Sequence, residues 1–473
     1  MNEILAIIFL CFGLLILFRK IMLSIMQPIL DSSNLRALGF IAIIIGLLFL
    51  YIVDFSWSDR LWKNTLFVLG IASILRGFIV IFFENIVYKF ADIFFNNYYK
   101  FSIPLSLLFF SLALLMVSRD YVGPIKNIDE CQSDESISLY CGFKNPEDMA
   151  LLPDNKFFIM SEFGGIRPYE EKDGEGSFAL LRISDGARIL PKIKFGENIW
   201  GDASCKRNPS DAFGPHGVDL IQREDGLIQF GVVNHFPFES IEFFELTQDA
   251  DNWLMTWRGC VTAPEENYFN DLSLKRDGSF YVTHMYERDI TVNEWLSAAL
   301  FKYSTGYVLK WDKGNFSKVS GSDGGQPNGI GLDEDSELLY VNYNLGDELR
   351  VINLRNGDSI GRYKINSPDN MIILDGSIWL TSLDHETIDV TMKSKLSFPL
   401  KALASSSFCD VEISVTCSLP FSIHEIDVVS LNKKNIYSFQ ETVFGFPTTA
   451  YPLNNKIYIG SFHSDRMAFF QTN

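Results

Sequence analysis

Six related hairpin-like units behind four apolar segments predict an all-β six-bladed β-propeller preceded by an all-α transmembrane region of about four helices, in a chain of 473 residues. Three observations carry this expectation. Residues 1–120 hold 9 Lys+Arg against 7 Asp+Glu and are dominated by Ile, Leu and Phe, whereas the remainder holds 31 against 51. Apolar runs approaching membrane length fall only in the first part. From Tyr121 onward, short apolar strands broken by turn residues recur as one repeating unit. The organisation read from these features is a helical membrane region, 1–120, and a propeller, 121–473.

The apolar segments run Ile4–Phe18, Ala37–Val53, Thr65–Phe83 and Ile103–Val117. About 17–25 apolar residues cross a bilayer, so the first and last need their flanking residues to do so. The first segment lacks the basic start and small-residue cleavage site of a signal peptide, and three more follow it; it reads as an anchor. Basic residues in the short loops then orient the chain. Arg19, Lys20, Arg36, Lys89 and Lys100 lie on one side, and Arg60, Lys63 and Arg119 on the other. This bias places the N-terminus and the propeller outside the cytoplasm.

Cysteine usage points the same way. Cys11 lies in an apolar segment, while Cys131, Cys141, Cys205, Cys260, Cys409 and Cys417 all fall in the acidic part. No CxxC pair is present, which disfavours a zinc site, and the even number predicts disulfides of open connectivity. The acidic surplus excludes nucleic acid as a partner and suits cations.

The repeated units are NPEDMALLPDNKFFIMSE, GPHGVDLIQREDGLIQFGVVNH, NDLSLKRDGSFYVTH, PNGIGLDEDSELLYVNY, DNMIILDGSIWLTSLDH and TTAYPLNNKIYIGSFHS. Each has a polar entry, an apolar strand, a tight turn and a second apolar strand, with room before the next unit for two further strands. In a propeller the innermost strands surround one channel, so their entries meet. The entries read Glu147-Asp148, His216, Asn270-Asp271, Asn328 and Asp369-Asn370. Four of these five carry carboxylate or amide oxygens, the hard donors that calcium prefers. The second unit also places a histidine at each outer end of a hairpin turned at Asp225-Gly226, His216 before it and His235 after it. Antiparallel pairing brings the two rings to one place.

In order and spacing, PEDMALLPD, FGPHGVD, VVNHFPFESIEFFEL, FNDLSL, PNGIGLDEDSELLYV, PDNMIILDGSIWL and IYIGSFHSDRMAFF resemble the blade motifs of the paraoxonase/arylesterase family, across most of residues 128–473. Gluconolactonase and strictosidine-synthase-like propellers share the fold. The resemblance implies two stacked calcium ions in the channel. Glu147, Asn270, Asn328, Asp369 and Asn370 would hold the catalytic ion, and Asp148, the Val218 carbonyl and Asp271 the structural one. It assigns His216 and His235 to the catalytic histidine pair, with His284 and His385 lining the same mouth. One departure is plain: the family ties its N-terminal segment to the last strand by a disulfide, and this chain ends MAFFQTN. Closure of the ring would then rest on strand pairing.

The function expected is a membrane-anchored, calcium-dependent hydrolase of carboxylic esters or lactones, with a small-molecule substrate and the lipid bilayer as its partners. The alternative from another class is a non-catalytic, calcium-stabilised propeller that binds a ligand or protein at the membrane. No GxSxG elbow, phosphate-binding loop or complete HExxH motif supports a different chemistry. The apolar, helix-like segment Val292–Lys302 could cover the active-site mouth or touch the membrane surface; ordinary packing is the expectation.

Overall fold

A computed structural model describes residues 2–30, 35–57, 61–118, 130–165, 167, 174–249, 252–384, 419–440 and 442–472. The chain separates into two compact units, one helical and one almost wholly β.

The helical unit contains α1 (Asn2–Leu17), α2 (Arg19–Leu30), α3 (Leu35–Ile52), α4 (Leu61–Phe82), α5 (Glu84–Asn96) and α6 (Tyr98–Ser118). Its main packing is α1 on α6 and α3 on α4. The second pair approaches closely because its crossing is lined with glycine. A Cβ on Gly46 would lie 2.6 Å from the Gly70 carbonyl oxygen, and one on Gly77 would lie 2.6 Å from that of Gly39. Leu35–Ile52, Trp62–Phe82 and Tyr98–Met116 are long and apolar enough to cross a membrane, and α1 with α2, bent by 95°, is a fourth candidate.

The four expected segments became α1, α3, α4 and α6, but α2 and α5 were not anticipated. Both are short helices with no buried residue. In α5, Glu84, Lys89, Asp92 and Asn96 recur at helical spacing, so a search for unbroken apolar runs passes over it.

The β unit is a ring of six antiparallel-built sheets. Its innermost strands are Pro146–Leu151, Pro215–Gln222, Asn267–Leu274, Pro327–Asp333, Pro368–Leu374 and Pro447–Leu453. Each pairs with a second strand through one of the six turns seen in the repeats. The second blade carries a fifth strand, Lys192–Phe195, parallel to Asn252–Thr262. The sixth blade is completed by Ser138–Cys141, which pairs antiparallel with Arg466–Gln471. The two ends of the β unit thus share one sheet, and strand pairing closes the ring.

A buried apolar layer fills the space between every two neighbouring blades. Ile159 and Phe178 of the first blade pack with Phe230 and Phe244 of the second. Val233 and Phe243 of the second face Phe280 and Leu309 of the third. The same arrangement continues around the ring to Met149 and Phe158, which meet Tyr458 and Met467. Both faces of a blade are therefore buried, so the second strands, such as Phe157–Glu162, are buried over nearly their whole length rather than alternating with solvent.

Two disulfides settle part of the open connectivity. Cys131 bonds Cys141 and Cys205 bonds Cys260; Cys409 and Cys417 lie outside the described residues. Cys205–Cys260 joins the loop leading into the second blade to that blade's fourth strand. Replacing both with Ser is expected to destabilise the propeller by about 2–4 kcal/mol. An unchanged thermal melt would contradict a structural role for this bond.

Residues Val292–Phe301 form α7, opened by a capping box between Thr291 and Glu294. Its Trp295 is buried, donates through Nε1 to Gln326 Oε1 at 2.9 Å, and packs with Phe163, Tyr268, Tyr286 and Leu345. These four residues come from three different blades, so the helix rests across the ring rather than on one sheet.

Candidate active site

Each innermost strand slips register with its neighbour within its first few residues. The slips fall at Pro146/Asp148, Pro215/Val218, Phe269/Leu272, Pro327/Ile330, Pro368/Met371 and Pro447/Ala450. Glu147, His216, Asn270, Asp271, Asn328, Asp369 and Asn370 all sit inside or at the edge of these irregularities. A slip of this kind re-aims side chains out of the sheet's normal alternation. The strands also crowd there. A Cβ on Gly217 would lie 2.5 Å from the Asn270 carbonyl oxygen, and one on Gly329 would lie 2.6 Å from the Asn370 Cα. This close approach explains the glycine in both PHG and PNG.

The five residues assigned to a catalytic ion are all buried. Asn370 donates through Nδ2 to Glu147 Oε1 at 2.9 Å, although the two are 223 residues apart. Asn270 Nδ2 contacts Met285 Sδ at 3.3 Å, and the Asn328 side chain hydrogen-bonds the Asp369 carboxylate. With their NH2 groups occupied in this way, Oδ1 of Asn270, Asn328 and Asn370 has no hydrogen-bond partner, and neither does Glu147 Oε2. A buried polar atom without a partner costs about 1–3 kcal/mol. Four such oxygens from four of the five assigned residues form a donor set that a hard divalent cation satisfies. Among the described residues, no three His, Cys, Asp or Glu side chains make a metal group by themselves. The set here is largely amide, with Glu147 and Asp369 its only acids.

The second assigned set is built differently. Asp148 Oδ2 accepts from the Val218 N–H at 2.9 Å and its Oδ1 from Met149 N–H at 2.8 Å. Asp271 accepts from Ile330 N–H at 3.0 Å and Leu272 N–H at 2.8 Å. Both carboxylates therefore pin the next blade's inner strand. Asp219, not singled out from the sequence, does the same toward Leu274 N–H at 2.7 Å. The fit to a cation here rests on charge. Burial first, and then the neighbouring Asp148, hold Asp271 well above the usual carboxylate range. Burial pushes Asp148 up to about 7 against the pull of its two backbone donors. Glu147 is likewise raised well above its ordinary value, by burial and then by Asp148, Asp369 and Asp271, and burial pushes Asp369 up to about 8. A bound cation would reverse this mutual repulsion.

His216 and His235 come together as the hairpin requires. His216 Nδ1 lies 2.9 Å from His235 Nε2, and His216 Nε2 lies 3.8 Å from Glu147 Oε1. Phe163 stacks on His216 at 4.5 Å between centroids, and Tyr268 lies over His235 at 4.7 Å. Both aromatics belong to the cluster that α7 covers. Burial, then the neighbouring His235, hold His216 well below the usual imidazole value. The sequence reading missed Glu239, whose Oε2 is 2.8 Å from His235 Nδ1. Its signal lay in VVNHFPFES: the acid and His235 stand at the two ends of the connection between the second and third strands of that blade.

Among the described residues, His284 meets this group only by way of Tyr268, whose ring lies over His235. It sits on the second strand of the third blade, one strand out from the channel, opposite Phe269. Its Nδ1 accepts from Tyr268 N–H at 3.1 Å, and its ring packs on Tyr307 at 4.7 Å. Burial pushes it down to about 4. His385 lies outside the described residues.

A family model described as "SMP-30/Gluconolactonase/LRE-like region" matches residues 239–394. That segment contains Glu239, Asn270, Asn328, Asp369 and Asn370 but neither histidine of the pair. No curated protein is similar enough to match the chain. Among solved structures, a gluconolactonase from Xanthomonas campestris is 12% identical over 74% of this chain and 95% of its own, with a TM-score of 0.40. A calcium-binding protein, regucalcin, from Agrobacterium tumefaciens is 11% identical over 71% of this chain and 92% of its own, with a TM-score of 0.37.

Proposed function

We propose that this protein is a membrane-anchored, calcium-dependent hydrolase of lactones or carboxylic esters, of the arylesterase/lactonase type, with its propeller on the extracytoplasmic side. The observation that carries the proposal is the set of unpartnered buried oxygens of Glu147, Asn270, Asn328 and Asn370 beside a buried histidine pair. The match of residues 239–394 to the gluconolactonase-like family model supports the lactone arm. The motifs around His216 and His235, similar to those of paraoxonases, support the ester arm. Glu147, Asn270, Asn328, Asp369 and Asn370 would hold one calcium ion, and Asp148, Asp271 and the Val218 carbonyl a second, structural one. Calcium bound at the first set would supply the positive charge that polarises the substrate carbonyl.

The chain's own residues do the proton work. His216 is kept neutral by burial, and its Nε2 faces the ligand oxygens, where it can take the proton of an attacking water. The water oxygen bonds the carbonyl carbon, the C–O bond to the leaving alcohol breaks, and the same proton passes from His216 to the departing oxygen. His235 holds His216 through Nδ1, while Phe163 and Tyr268 fix the two rings and keep bulk water from them. The extracytoplasmic assignment draws its support from the loop charges and from the disulfides. The purified full-length protein, offered a panel of lactones and aryl esters, should turn over members of the panel, with chelator abolishing turnover and calcium restoring it. A calcium-dependent melt with no turnover of any member would instead identify a binding propeller.

A further inference from the structure

Glu239 uses both oxygens of its carboxylate as acceptors in a buried turn. Oε2 meets His235 Nδ1 at 2.8 Å, and Oε1 takes the N–H of Phe269 at 2.7 Å. Phe269 immediately precedes Asn270, at the register slip that turns Asn270 out of its sheet. Glu239 therefore touches the histidine pair with one oxygen and the ligand-bearing strand with the other.

The two contacts have a consequence for protons. A carboxylate only accepts hydrogen bonds, so His235 must carry its proton on Nδ1. Its Nε2 is then bare and accepts from Nδ1–H of His216, across 2.9 Å. That leaves His216 Nε2 bare as well, 3.8 Å from Glu147 Oε1. We propose that Glu239 is a positioning residue that sets the tautomer of both histidines and so exposes the lone pair of His216. This deepens, and rests on, the hydrolase function proposed above.

An amide cannot do the same. In Glu239→Gln the Phe269 N–H still requires the amide oxygen, which turns the NH2 toward His235 Nδ1. His235 must then protonate at Nε2 and donate to His216 Nδ1, and His216 must carry its proton on Nε2, where no water can be deprotonated. The isosteric change keeps the backbone tie while reversing the whole chain of hydrogen bonds.

The test compares the full-length wild type with Glu239→Gln and Glu239→Asp, each labelled with 15N-histidine, with His216→Gln and His235→Gln used to assign the signals. The wild type should show Nδ1-protonated, Nε2-bare rings at both positions, and Glu239→Gln should invert both. Lactone kcat in Glu239→Gln should fall by on the order of 10²–10⁴-fold, with KM, calcium affinity and Tm close to wild type. Glu239→Asp should keep the wild-type tautomers and regain part of the rate. Unchanged tautomers in Glu239→Gln would overturn the proposal, as would a rate loss matched by loss of calcium or of fold. A wild type inactive on every lactone and ester would overturn the hydrolase instead, while the tautomer spectra would still decide the role of Glu239.

Discussion

Asn270→Ala and Asn328→Ala should each lower turnover of lactones and esters by on the order of 10²-fold or more, and weaken calcium binding in parallel. Each asparagine commits its NH2 to a protein neighbour and presents an unpartnered, buried Oδ1. Removing one deletes a neutral oxygen donor without changing the charge of the site, so the loss reports coordination rather than net electrostatics. His216→Gln should behave differently. Aryl esters have good leaving groups and need little help from a base, so their rates should fall less than lactone rates, where base catalysis contributes about 10²–10⁴-fold. The ratio of lactone to aryl-ester activity should therefore drop in His216→Gln and stay near wild type in Asn270→Ala. The opposite ordering would mean that the oxygen cluster, and not His216, separates lactones from aryl esters, and would contradict the base role given to His216.

Calcium removal should have the second large effect, and its size should depend on pH. Without the cation, Glu147, Asp148, Asp271 and Asp369 bind protons more tightly in the fold than in the unfolded chain. Groups raised in this way contribute stability that is present below the unfolded carboxylate range and is lost as pH rises through their folded values. Those values are about 7 for Asp148 and about 8 for Asp369. The buried histidines act in the opposite sense. His216, lowered well below the usual value, and His284 and His424, each lowered to about 4, contribute stability that is present above the unfolded imidazole value near 6.5 and is lost as pH falls from there through their folded values. Of these groups, the carboxyls alone change charge between pH 7 and 9. Each one still protonated in the fold costs about 1.4 kcal/mol per pH unit as it is held against ionisation. In chelator, Tm should fall across that window. Calcium at 100 times its dissociation constant adds about 2.7 kcal/mol and should remove the slope. A chelated protein whose Tm is flat or rising from pH 7 to 9 would show that these carboxyls do not share one desolvated site.

The ring of blades was legible because its grammar is local. All six quoted units fall on the innermost and second strands, and the Asp225-Gly226 turn closes the hairpin that carries His216 and His235. The grouping of Glu147 with Asn370 followed from the same repeats, since equivalent entries must face one axis. What stayed hidden was of two kinds. Helices α2 and α5 expose an amphipathic rather than a wholly apolar surface, so run length passes over them. Glu239 and Asp219 act across blade boundaries, toward Phe269 and Leu274. Asp148 and Asp271, which make the same kind of contact, stand at repeat entries, whereas Glu239 and Asp219 lie outside the entries and carry no such mark. His284 stands on a second strand, one strand out from the channel, where its Nδ1 accepts from Tyr268 N–H, its ring packs on Tyr307 and its buried Nε2 has no hydrogen-bond partner among the described residues.

The central claim, that the channel oxygens hold the calcium on which hydrolysis depends, is tested most directly by titrating calcium into chelator-stripped full-length protein. Bound calcium and lactone turnover are measured on the same samples. Turnover should rise from background with the same half-saturation as binding at the set formed by Glu147, Asn270, Asn328, Asp369 and Asn370, and Asn270→Ala should shift both curves together. Full lactone turnover by protein from which all calcium has been stripped would contradict the claim outright.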